Sequence, residues 1–238
     1  MIAEIQKECL RRGVTRLCHF TPSRNLAHIA AGKLGILATA NLRRDEQTVL
    51  NPTDSKRWDG WVSHVCCSIE YPNAWYLVKA QEKEKLFRDW VVLFIQPHYI
   101  WSIDTLFSPR NAAAQGGTLV YAGFPTFQSL YSNNILGAYD RTMTRTPQML
   151  DCCPTDDQAE VLVKDRIRLE DIQAVAVRSE MQAQCEIARL RLGGLGESSF
   201  KFVIASDLFN PRIVSPAIRR GHRPPETLWA QAPTSRCS

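Results

Sequence analysis

No apolar run in these 238 residues approaches the roughly 18–20 that a membrane-spanning helix needs, which argues against an integral helical membrane protein. The start, Met1-Ile2-Ala3-Glu4-Ile5-Gln6-Lys7, has no basic region followed by an apolar stretch, so no secretory signal is expected. There is no C-x-x-C and no H-x-E…C-x-x-C arrangement, which counts against a structural zinc site and a zinc deaminase. A G-x-G-x-x-G fingerprint is also missing, so any dinucleotide would not be held as in a Rossmann dehydrogenase. Repeats and low-complexity tracts are lacking, and with 45% hydrophobic and 22% charged residues wholesale disorder is not expected. The eight cysteines include two vicinal pairs, Cys66-Cys67 and Cys152-Cys153, and Cys18 and Cys66 lie in apolar, strand-like segments. Buried, reduced thiols in a cytoplasmic protein are the expectation. The net charge of +5 is compatible with a polyanionic partner without requiring one.

What is present has the size of one large domain. Ile2, Ile5, Cys9 and Leu10 recur at helical spacing ahead of Arg11-Arg12-Gly13, a basic last turn and a stop. Residues 16–21 read as a strand, residues 22–32 as a second helix, and 41–60 as a long polar loop of the kind that is usually functional. Further strands are expected at 62–69, 90–96, 160–163, 172–177 and 200–204, with helices at 82–89 and 180–192. Residues 108–150 are irregular, with Tyr121, Phe124, Phe127, Tyr131 and Tyr139 scattered among Gly, Asn, Ser, Thr and Pro. Helices and strands segregated in this way, without βαβ alternation, point to a single α+β domain.

Three segments carry chemistry that a scaffold does not need. His19 and Thr21 share one face of the first strand. Asp54-Ser55-Lys56-Arg57-Trp58-Asp59-Gly60 is a charged loop ahead of an apolar strand, and Gln158-Ala159-Glu160 delivers a carboxylate to the mouth of another. Taken singly these read as a structural histidine, a solvated turn and a strand-edge glutamate. Together they offer a histidine, an arginine and a carboxylate, each beside a strand end, and a carboxylate at the edge of a core is costly unless paired or used.

In that combination the chain resembles the DarT family of DNA-directed ADP-ribosyltransferase toxins. His19-Phe20-Thr21, Asn25-Leu26, Ile29 and Gly32-Lys33-Leu34 are similar to the family's nicotinamide-pocket segment, and Gln158 to Val163 to its catalytic-glutamate strand. The blocks Asp54 to Gly60, His64 to Asn73 and Ser108-Pro109-Arg110-Asn111-Ala112-Ala113 resemble one branch of it. The resemblance implies split antiparallel sheets around an NAD cleft, flanked by helices, in one domain over 1–215 with a tail over 216–238. It implies Glu160 and Arg57 as catalytic residues, with Arg43 or Arg44 as the alternative arginine. His19, Phe20, Thr21, His28 and Arg57 would contact NAD as substrate, without a metal. It implies ADP-ribose transfer to a base of single-stranded DNA, leaning to guanine with thymine the other candidate, so that replication is blocked, with a part in phage defence. The implied partner is a cognate antitoxin carrying a macrodomain or a NADAR-type ADP-ribosyl hydrolase.

The chemistry suits those residue types. Breaking the nicotinamide–ribose bond builds positive charge at the anomeric carbon, which a carboxylate stabilises. A guanidinium forks onto pyrophosphate oxygens. Arg110, Arg141 and Arg145, with the aromatics of 108–150, are candidates for holding an unstacked base and its phosphates. The alternatives are transfer to RNA or protein, NAD hydrolysis, a metal-dependent nuclease around Asp157 and Glu160, a cysteine hydrolase using Cys66 or Cys153 with His64, and a non-catalytic nucleic-acid-binding module.

Overall fold

Trp90-Val91-Val92-Leu93-Phe94-Ile95 is apolar at every position and buried at every position, so it has to lie where both faces of a sheet are covered. It is the central strand of one half of the molecule. The computed structural model describes residues 2–31, 34–42, 58–84, 87–137, 141–195 and 200–230. In chain order its elements are α1 (Ile2–Arg12), β1 (Leu17–Pro22), α2 (Arg24–Ala31), β2 (Ile36–Leu37), β3 (His64–Ile69), α3 (Ala74–Lys83) and β4 (Trp90–Ile95). There follow β5 (Leu106–Ser108), β6 (Tyr121–Ala122), α4 (Phe124–Ser129), β7 (Asn134–Leu136), β8 (Thr142–Thr144), β9 (Glu160–Lys164) and β10 (Arg166–Ile167). The last described elements are β11 (Ile172–Val177), α5 (Glu180–Leu192), β12 (Phe202–Ile204), α6 (Pro211–Arg219) and β13 (Thr227–Leu228).

The main sheet runs β13-β12-β11-β4-β1-β3-β9-β5-β6. It is two sheets joined by a narrow seam. In one half β4 pairs antiparallel with β1 over six positions, from Leu17↔Ile95 to Pro22↔Trp90, and with β11 on its other side. In the other half β9 pairs with β3 and β5. Among the described residues the halves pair at two positions, Leu17↔Ile69 and Cys18↔Ser68. Beyond Cys18 the two strands part, and the gap they open is the root of a cleft. The split antiparallel architecture expected from the sequence is the one the chain adopts, with one parallel pair, β11 with β12, bridged by α5.

A polar network secures the seam from behind. The Glu70 carboxylate, 1% exposed, accepts from the Thr15 backbone N–H at 2.8 Å, the Thr15 hydroxyl and Arg223 Nη1 at 2.9 Å. Arg16 donates from Nε to the Glu70 carbonyl at 2.8 Å and from both terminal nitrogens to Glu226, while its guanidinium lies 3.7 Å over the Phe94 ring. Residues near the C-terminus are thereby tied to the strand that bears His19. α6 runs across position 216 to Arg219, and β13 pairs Leu228 with Val203 at the edge of the main sheet.

The helix expected at 82–89 lies earlier. Asn73 accepts from the Tyr76 N–H at 3.0 Å and caps a helix that buries Ala74, Leu77 and Ala80 and ends at Lys83. Glu82 and Lys83 form its last turn, and residues 87–89 are not helical. Among the described residues, no helix is long and apolar enough to cross a membrane.

Candidate active site

The cleft opened by the parting of β1 and β3 has a volume of about 900 Å³, within the range of small-molecule sites. One wall is β1 and α2, with His19, Phe20, Thr21 and His28; the facing wall is β3 with the start of β9, bringing His64, Cys66 and Glu160. Backbone from Leu34 to Thr39 closes a third side. This segment can lie so close because residue 35 is glycine: at φ +80 a Cβ there would come within 2.0 Å of the Ile167 carbonyl oxygen.

His19 stands where the sheet splits. Its Nδ1 lies 2.8 Å from the Cys66 carbonyl oxygen, across the gap where a ladder bond would otherwise form. A carbonyl only accepts, so Nδ1 carries the hydrogen and Nε2 is the acceptor nitrogen in the neutral ring. Phe20 leans on Tyr76 and Trp90, with ring centroids 6.0 and 6.1 Å away. The Thr21 hydroxyl accepts from Asn25 Nδ2 at 2.8 Å, and both residues are buried. Among the described residues Asn25 Oδ1 and Asn73 Nδ2 are buried without a hydrogen-bond partner, and both side chains belong to the cleft wall. One acceptor and one donor are thus unmatched there, at a cost that a bound polar group would remove.

Glu160 is the first residue of β9 and only 8% exposed. Register places it opposite Ser108, and the loop leaving β5 turns Asn111 back so that Nδ2 donates to Glu160 Oε1 at 3.0 Å. Asp59, 5% exposed, faces the same cleft; its Oδ1 accepts from the Trp61 N–H at 3.1 Å and its Oδ2 lies 3.7 Å from Cys66 Sγ. Gly117 bridges the two loops, since a Cβ there would fall 2.2 Å from the Asp59 carbonyl oxygen. Glu160, His19, Phe20, Thr21 and His28 therefore share one cavity. Arg57, and Arg43 and Arg44 as its alternatives, lie outside the described residues. Asn111, Asp59 and Asn73 have cleft positions to which the sequence alone assigns no role, although all three fall within the blocks that resemble the family.

The region before Glu160 divides into core and surface. Phe127 is fully buried and Tyr131 nearly so, stacked edge-on at 5.6 Å. Arg145 donates to the carbonyls of Cys153, Leu150 and Asp151, so its guanidinium is scaffold. Tyr121 is 61% exposed, Phe124 and Arg110 half-buried and Arg141 exposed; Tyr139 lies outside the described residues. The carboxylates of the nuclease reading part company: Asp157 accepts from Ser215 and Arg219 on α6, while Glu160 lines the cleft. Cys153 is 3% exposed, and burial pushes its thiol well above the ordinary value, which disfavours the thiolate.

Asp156 carries a cost with a measurable sign. It is 2% exposed; Oδ1 accepts from the Gln158 N–H at 2.9 Å, and Oδ2 has no partner among the described residues. Burial raises its carboxyl above the ordinary 3.8, against the pull of Arg110 and Arg219. A carboxyl raised on folding penalises the folded state once it ionises, so the penalty is absent below about pH 3.8 and complete above the folded value. Asp156→Asn should therefore gain melting temperature relative to the parent as pH rises from the acid range to neutrality. A difference that stays flat or shrinks over that range would contradict this.

A family model described as "ssDNA thymidine ADP-ribosyltransferase, DarT" matches residues 18–209. The solved structure of Thermus sp. 2.9 DarT in complex with NAD+ superposes with a TM-score of 0.52 at 14% identity, covering 82% of this chain and 97% of that one. Thermosipho africanus DarTG in complex with ADP-ribose gives 0.54 at 14% identity, covering 82% of this chain and 51% of that one, so this chain spans about half of that longer protein. At such identity the likeness is one of fold. Comparison with curated proteins gives no match. With most of its length matched by the family model, the chain belongs to the DarT family of ADP-ribosyltransferases.

Proposed function

We propose that the cleft binds NAD as substrate and that Glu160 drives transfer of ADP-ribose to a base of single-stranded DNA. The observation that carries this reading is the meeting, in one cavity of about 900 Å³, of a nearly buried carboxylate with the His19-Phe20-Thr21 wall at the parting of two sheets. Glu160 stabilises the charge that develops at the anomeric carbon and orients the ribose through a hydroxyl. His19 Nε2 accepts from ribose, His28 and Phe20 line the bound dinucleotide, and Arg57 meets its phosphates. Asn25 Oδ1 and Asn73 Nδ2 suit the two ends of a carboxamide. No step requires a metal.

The acceptor is held by the surface that remains once Phe127, Tyr131 and Arg145 are assigned to the scaffold: Tyr121 and Phe124 for stacking, Arg110 and Arg141 for phosphates. Substituting Arg110 or Arg141 by alanine should weaken binding to single-stranded DNA and make the log–log salt dependence shallower by about 0.7 for each phosphate no longer neutralised. An unchanged slope in both variants would move the interface elsewhere. Thymine is the proposed acceptor base, in keeping with the family description, and guanine is the competitor. A set of four oligonucleotides, each lacking one base, incubated with NAD and read by adduct mass decides it. Loss of the adduct only on the thymine-free strand supports the reading; loss only on the guanine-free strand replaces thymine with guanine. Labelling of RNA or protein instead, or NAD consumption alone, overturns the DNA assignment.

The same reading extends to physiology. The protein acts in the cytoplasm as a toxin that blocks replication, with a role in phage defence. An antitoxin bearing a macrodomain or a NADAR-type hydrolase removes the modification. The domain extends through Trp229, on the support of β13 and the Arg16–Glu226 pair.

A further inference from the structure

The geometry points to Asn111 as the positioning residue for the Glu160 carboxylate, an inference that rests on the role proposed for Glu160. The side-chain amide is oriented from both ends. The Ala113 backbone N–H donates to Asn111 Oδ1 at 3.0 Å, and only an oxygen can accept there. Nδ2 is therefore the atom that faces Glu160 Oε1 at 3.0 Å, and it donates. A glutamate has several rotatable bonds to freeze, and a donor on one oxygen fixes the rotation of the carboxylate before substrate arrives, the preorganisation that transition-state stabilisation requires.

The loop that bears Asn111 is built to hold such a contact. Ala112 and Val120, its flanks, are 1% and 4% exposed and form one small apolar cluster with Leu162, two residues along β9 from Glu160. At its far turn Gly117 is pressed against the Asp59 carbonyl, on the other loop that reaches the cleft. Its root, Ser108, is fully buried in register with Glu160 itself. Donor and acceptor are thus both referenced to β9.

The turn made by Asn111 Oδ1 and the Ala113 N–H would stabilise this loop whatever the amide nitrogen did, so the test must separate the two ends. Asn111→Asp keeps the oxygen for Ala113 and removes the donor to Glu160; Asn111→Ala removes both. Both variants are compared with the parent for DNA labelling, for NAD cleavage and for melting temperature. In Asn111→Asp kcat should fall by about 100-fold, the cost of a reacting group misplaced by an ångström, while KM for NAD stays near the parent value. Its deficit should narrow as the pH is lowered toward the carboxylate range, because two facing carboxylates can then share a proton. His19, His28, His64, Asp59, Cys66 and Lys83 line the same cleft in parent and variant alike, so the ratio of the two profiles isolates the new carboxylate. A parental kcat in Asn111→Asp, whatever Asn111→Ala does, would reduce Asn111 to a loop residue and overturn the inference, as would a deficit independent of pH or one confined to KM. A parent that cleaves NAD without labelling DNA refutes the acceptor proposal, and Asn111 is then judged on cleavage by the same criteria.

Discussion

Glu160→Gln should fold as the parent does and transfer ADP-ribose at least about 10²–10³-fold more slowly, the typical loss when one preorganised electrostatic group is removed. The substitution conserves shape and volume, so the strand pairing of β9 with β3 and β5 and the burial of Val161, Leu162 and Val163 are untouched. What changes is the charge that offsets the developing oxocarbenium ion and the acceptor that Asn111 Nδ2 addresses at 3.0 Å. Because that charge matters only as the glycosidic bond breaks, the loss should fall on kcat, with NAD binding by calorimetry close to that of the parent. Activity of Glu160→Gln within tenfold of the parent would remove the carboxylate from the mechanism.

Phe127→Ala should destabilise the protein by about 3–5 kcal/mol, the usual range for deleting a fully buried phenylalanine. Phe127 stacks edge-on against Phe107 of β5 at 5.3 Å and against Tyr131 at 5.6 Å, both buried in the core. The matched control is Tyr121→Ala, on the exposed edge strand β6, which should leave the unfolding midpoint in place and lower affinity for single-stranded DNA. The pair separates aromatic residues that hold the fold from those that meet the acceptor. Denaturant unfolding of both variants, with oligonucleotide titration of Tyr121→Ala, reads the outcome; a stable Phe127→Ala protein would contradict the packing.

These two residues also mark how far the sequence can be read. Glu160 is legible because an acidic turn runs directly into Val161-Leu162-Val163, and His19 because a polar residue interrupts an apolar strand. Phe127 and Tyr121 look alike in sequence, since residues 108–150 have no sustained period; only the packing of α4 against β5 separates them. The same holds for Arg145, whose partners are backbone carbonyls that no side-chain pattern reveals. The two-pair seam between β1 and β3 is non-local, fixed by which strands meet rather than by any residue in them. Asn111 lies inside a block that stands out in the sequence, yet its partner follows from the register of β5 on β9. The charged residues at 82–89 suggest a helix that the fold places earlier, and the Asn73 cap is the better physical signal.

The central claim is tested most directly by intact mass measurement of a single-stranded oligonucleotide, and of the same sequence as a duplex, after incubation with the protein and NAD. The account predicts one added ADP-ribosyl group on the single strand, much less on the duplex where a base must first be unstacked, and none with Glu160→Gln. NAD consumed with both oligonucleotides unchanged, or equal labelling by Glu160→Gln, would contradict it.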